Sequence, residues 1–141
     1  VALLPPDVEA ALDVRLWDRF FDLYVSVPMQ KIVGDRIRPQ GSSDPHGVAE
    51  AHATLETAYN MIEGQLYERD WITGADFTMA DCSALPGLFF AGIVHPFGPD
   101  RPQLHAYSER LLARPSVRRV LAEARPYFRF GAHPVLTGQS A

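Results

Sequence analysis

The sequence predicts an all-α domain, a helical bundle, on three observations. Apolar residues recur at three- and four-residue intervals along most of the chain, the period of a helix that buries one face. Helix starts are marked by Asp44 followed by Pro45 and by Thr78 followed three residues later by Asp81. No stretch of useful length alternates apolar and polar residues with period two, so no sheet is predicted.

Between Asp7 and about Val27 the polar residues Arg15, Asp18, Arg19, Asp22 and Ser26 recur at helical spacing. They leave Leu12, Leu16, Trp17, Phe20, Phe21, Leu23, Tyr24 and Val27 on a wide apolar surface, so this first helix has only a narrow solvent face. Pro28 has no amide hydrogen and its ring crowds the preceding turn. The helix is therefore expected to kink or break there and to restart over Met29 to Val33. Arg36 to Asp44, with Pro39, Gly41, Ser42 and Ser43, reads as a loop.

A second helix is expected from Pro45 to about Tyr67, carrying Val48, Ala51, Leu55, Ala58, Ile62 and Leu66 on one face. Ala49 and Ala53 lie on an adjoining stripe where a neighbouring helix can approach closely. Thr78 can cap the third amide of the next helix while the Asp81 carboxylate reaches back to the Thr78 amide. From Met79 to Val94 nearly every residue is apolar or small, which predicts a central helix enclosed by protein on all sides. Pro86 inside it deprives the Cys82 carbonyl of its donor, so a kink between Cys82 and Pro86 is expected. Gly98, Pro99 and Pro102 make a turn. Leu104, Tyr107 and Leu111 mark a further helix ended by Arg114 and Pro115, and a last one carries Val117, Val120, Leu121 and Ala124. Residues 1–136 are expected to form one domain and 137–141 a disordered tail.

Composition supports a globular reading. A chain of 141 residues and 15.7 kDa fits one domain, and such a chain buries about 68% of its unfolded surface. The apolar share of 47% and charged share of 21% are ordinary, which excludes bulk disorder. A net charge of −4 with scattered basic residues argues against a nucleic-acid partner, and Arg114, Arg118 and Arg119 read as cations near helix ends. The single cysteine, Cys82, excludes an internal disulfide and a cysteine metal cluster, and a reducing compartment, the cytoplasm, is expected. The longest uncharged apolar stretch, Cys82 to Val94, is too short to cross a bilayer, which takes about 20 residues, so no membrane partner is expected. The chain opens on Val1, shows no signal-peptide pattern, and is expected to be a fragment or a processed product.

Three stretches carry a resemblance to a known family: RLWDRFFDLYV at Arg15 to Val25, WITGADFTMADCSALP at Trp71 to Pro86, and LHAYSERLLARPSVRRVL at Leu104 to Leu121. In this order and spacing they resemble the C-terminal domain of soluble glutathione S-transferases, and among subgroups they look closest to bacterial members. The middle stretch is the most specific, since its aromatic residue, glycine, Phe-Thr and Ala-Asp pattern is similar to the family's capping motif. The resemblance implies a parent enzyme that uses glutathione as co-substrate against a small hydrophobic electrophile. It also implies a homodimer and an N-terminal thioredoxin-like domain that activates the thiol. No such βαβ pattern occurs in this chain, so the fragment alone is expected to be inactive and to bind glutathione weakly. Similar domains serve as non-catalytic docking modules in translation factors and aminoacyl-tRNA synthetases, and that alternative stays open.

By the same resemblance, Tyr24, Val27 and Pro28, with Phe20, border the electrophile pocket, although apolar helix residues ordinarily mean core packing. Arg19 lies where some relatives extend a polar side chain toward glutathione across the dimer, against the simpler reading of a solvated surface arginine. Thr78 and Asp81 read as structural capping residues rather than an acid or base. Cys82 reads as a buried core thiol rather than a nucleophile, for lack of a nearby histidine. His46, His52, His95, His105 and His133 show neither metal-ligand spacing nor a carboxylate at fixed offset. They read as structural or solvent-facing, and no metal and no catalytic residue is assigned.

Overall fold

The computed structural model describes residues 2–124 and 126. The helices are α1 (Val8–Phe20), a π-helical segment (Phe21–Ser26), α2 (Val27–Arg36), α3 (Pro45–Gln65), α4 (Met79–Val94), α5 (Pro102–Ala113) and α6 (Pro115–Ala124). Among the described residues there is no strand, only an isolated bridge between Trp71 and Gly74. The tail 137–141 and the 136/137 boundary lie outside the described residues, as does His133.

Of the kink or break expected at Pro28, the break does not occur. Helical backbone runs from Val8 to Arg36, and the proline is accommodated by the wider π turn before it. The Val27 amide reaches back five residues to the Asp22 carbonyl, so the ladder is already expanded where Pro28 enters without a donor. Such a bulge leaves no signal in apolar periodicity. At this segment α4 crosses so closely that a Cβ on Gly87 would lie 3.0 Å from Ser26 Oγ and 3.4 Å from Val25 Cγ1.

The second helix starts as its residues dictate. The Asp44 side chain accepts from the Gly47 amide at 2.9 Å with Pro45 in the first turn, and the helix ends at Gln65, two residues before the expected limit. Pro86 lies inside α4 without ending it. The core runs from Val14, Trp17 and Phe21 through Leu55, Tyr59 and Ile62 to Leu88, Leu104 and Tyr107. The chain before α1 also contributes, because the Leu3 carbonyl accepts from the Met79 amide at 2.9 Å and ties down the start of α4.

The expectation that α4 is enclosed on every side needs correction. Ala80, Asp81, Ala84, Gly87, Leu88 and Ala91 are buried, but Cys82 and Pro86 are exposed and Ile93 is 43% exposed. With α5 and α6 the open flank bounds an apolar cavity of about 440 Å³. Apolar composition alone does not tell a helix enclosed on all sides from one with an exposed flank.

Candidate functional site

Among the described residues, two apolar recesses and one buried polar node stand out. The first recess, about 390 Å³, lies between α1 with the π segment and α3, and is lined by Phe20, Tyr24, Thr54, Thr57, Ala58 and Met61. Phe20 and Tyr24 stack on its wall with ring centroids 5.2 Å apart. Phe20 is buried and Tyr24 half exposed, so one anchors the other while leaving a phenol face open. Of the residues singled out for the electrophile pocket, these two come together. Val27 is exposed and Pro28 buried in the next turn, and neither lines this recess or the larger cavity. Arg19 is exposed and pairs with Asp22 at 3.5 Å, in reach of solvent.

The second recess is the cavity beside α4, whose wall carries Phe77, Leu85 and Phe89 and into which Cys82 projects. The reading of Cys82 as a core thiol is therefore overturned: it is exposed on the open flank of α4. Partial burial among apolar neighbours, and then the negative charge of Asp81 next to it, push its pKa up. It is a protonated, weakly nucleophilic thiol at neutral pH. Arg114 stands at the edge of this region with its guanidinium 3.5 Å from the Phe77 ring centroid and 5.4 Å from that of Trp71, a cation over two aromatic faces.

The polar node is Asp81, fully buried. Its Oδ2 accepts from the Thr78 amide at 2.8 Å and the Thr78 hydroxyl at 3.1 Å, completing a capping box at the start of α4. Oδ1 accepts from the Ile72 amide at 3.1 Å and the Tyr107 hydroxyl at 2.6 Å. A buried carboxylate with four donors is held as an acceptor, not freed for proton transfer. Burial, and then the Asp81 charge, hold the Tyr107 phenol far above its ordinary pKa, so it stays a donor. Nothing in the sequence connects Tyr107 with Asp81, since the pairing forms only when α5 packs on α4.

The histidines also differ from expectation. His95 has a carboxylate partner after all, Glu56, across two helices at 2.6 Å, and its other ring nitrogen meets His52 at 2.8 Å. His46 faces Glu50 at 3.5 Å on the surface of α3. Among the described residues no group of three or more His, Cys, Asp or Glu side chains could hold a metal ion. None of the described helices is long and apolar enough to cross a membrane.

Residues 45–110, from the start of α3 to near the end of α5, match the family model for the glutathione S-transferase C-terminal domain. The chain carries a glutathione S-transferase C-terminal domain. Among its relatives, this domain is 27% identical over 135 residues to glutathione S-transferase 1 of Triticum aestivum, covering 89% of this chain and 58% of that protein. It is 40% identical over 57 residues to glutathione S-transferase 2 of Saccharomyces cerevisiae, covering 40% of this chain and 24% of that protein. A solved glutathione S-transferase of Methylobacterium radiotolerans, in complex with glutathione sulfonate, superposes with a TM-score of 0.70 at 26% identity, over 83% of this chain and 56% of that one. The glutathione S-transferase domain described here thus spans little more than half the length of the wheat and bacterial proteins.

Proposed function

We propose that this chain is the substrate-binding and dimerising half of an enzyme that conjugates glutathione to small apolar electrophiles. What carries the reading is the Phe20–Tyr24 recess on a glutathione S-transferase C-terminal domain: a wall of two stacked rings with one open phenol face, suited to an aromatic or alkyl electrophile. In this reading a thioredoxin-like half outside this chain holds the glutathione thiolate. The sulfur attacks the electrophilic carbon, the C–S bond forms and the leaving group departs. This domain contributes position rather than proton transfer, which accords with a buried acid, Asp81, already committed to four donors. Val27 and Pro28 would border the recess only from the next turn. Arg19 would reach glutathione across a two-fold dimer by giving up its Asp22 contact.

A homodimer is part of the proposal. Leu12, Leu16 and Leu23 on the first helix and Met61 on α3 are each between 48% and 65% exposed, and Ala53 is exposed on α3. That is apolar surface left exposed among the described residues. A cytoplasmic role in removing reactive electrophiles follows from the same chemistry and from an exposed thiol kept free.

The test is steady-state kinetics on this chain joined to its thioredoxin-like half. Tyr24→Ala is expected to raise KM for an aromatic electrophile about tenfold, the loss of about 1.4 kcal/mol of binding, with KM for glutathione unchanged. Arg19→Ala is expected to raise KM for glutathione instead. A joined protein with no glutathione-dependent activity would overturn the reading and favour a docking module.

A further inference from the structure

The His52, Glu56 and His95 cluster lines neither recess and has no part in the proposed reaction. His52 and Glu56 are one turn apart on α3, and His95 follows the last residue of α4. The two Nδ1 atoms are 2.8 Å apart, and His95 Nε2 lies 2.6 Å from Glu56 Oε1. The Tyr59 hydroxyl donates to the His95 carbonyl at 3.0 Å, and Arg101, at the other end of the loop, pairs with Glu56 and donates to Asn60 at 2.9 Å. Arg36 of α2 is the further charge facing His52.

This geometry sets a limit on protons. Glu56, kept ionised first by Arg101 and then by His95, accepts a hydrogen bond from the Nε2–H of His95. Only one hydrogen fits between two nitrogens 2.8 Å apart. With both rings neutral, His52 Nδ1–H donates to His95. With one proton added, an imidazolium donates to a neutral imidazole along the same line. With both rings charged, two N–H groups point at each other and the bond is lost.

We propose that His52 and His95 form a proton-operated clasp, which holds the start of the loop between α4 and α5 on α3 while at least one ring is neutral and releases it when acid charges both.

The sign follows from His52. Burial first, then His95 and Arg36, lower its pKa below the ordinary value of 6.5. The folded chain therefore binds fewer protons than the unfolded one, so the clasp's stabilisation is complete above about pH 6.5 and is lost as pH falls through the lowered value. Arg101 keeps the far end attached, so loosening should concentrate at His95.

Amide hydrogen exchange on the 141-residue chain tests this at pH 7 and pH 5, after correction for intrinsic rates. The His95 amide, bonded to the Ala91 carbonyl, is expected to lose protection on acidification. His52→Asn, which keeps a neutral polar group at Nδ1, should abolish that pH dependence, while His105→Asn on α5 should keep it. An equal acid response in wild type and His52→Asn, or none in wild type, would overturn the clasp. Should His52→Asn not fold, nitrogen-15 spectra of the wild-type imidazoles decide instead. One protonated and one bare Nδ1 at pH 7 is expected, and two bare Nδ1 atoms would defeat it.

Discussion

Tyr107 on α5 donates its hydroxyl to Oδ1 of Asp81 at 2.6 Å, joining the cap of α4 to the middle of a helix 26 residues further on. A capping box that serves one helix locally is here also a tertiary joint. The same carboxylate holds the Ile72 amide and so fixes the chain leading into α4.

Asp81→Ala should therefore cost more than a cap. Loss of the cap costs about 0.5–2 kcal/mol and a stranded buried donor about 1–3 kcal/mol, so a destabilisation of about 1.5–5 kcal/mol is expected with the helix content retained. Urea denaturation measures it. In a double-mutant cycle with Tyr107→Phe, the two effects should fall short of additivity by 1 kcal/mol or so; strict additivity would show that the joint carries no energy.

Gly87→Val places methyl groups where α4 meets Ser26 and Val25 at near-minimum separation. Overpacking of this kind costs about 1–3 kcal/mol, because two helices cannot separate without opening the core beside them. The variant should unfold at lower temperature, whereas Gly64→Ala, with nothing within 4 Å of the added carbon, should be neutral or stabilising.

Cys82 should react in the folded protein without denaturant, since it is exposed, but more slowly at neutral pH than a free cysteine, since its pKa is raised. Alkylation by iodoacetamide followed across pH 7 to 10 would reveal an inflection above the ordinary thiol value. Faster reaction than free cysteine at pH 7 would contradict the environment described.

Ala53→Arg puts a long cation on the exposed face of α3, where the proposed dimer meets. Sedimentation equilibrium at high micromolar concentration should show a monomer–dimer mixture for the wild type and a shift to monomer in the variant. A wild type that stays monomeric, or a dimer indifferent to the change, defeats that interface.

How much was legible in the sequence differs from element to element. Asp44 with Pro45, and Thr78 with Asp81, determined by themselves where α3 and α4 begin, because a cap is made by residues within one turn of each other. Helical periodicity likewise determined the all-α class and the rows that bury Leu55, Ile62, Leu104 and Leu111. Only the folded structure shows that Pro28 is carried through a π turn rather than breaking the helix, at a segment that α4 crosses closely. It also decided that Cys82 is exposed, that Phe20 and Tyr24 share a recess without Val27 and Pro28, and that Asp81 meets Tyr107 and His52 meets His95. Each of these depends on how one helix is rotated and seated against another. That seating is set by side chains far apart in the chain, and a reading by local period and spacing has no access to it.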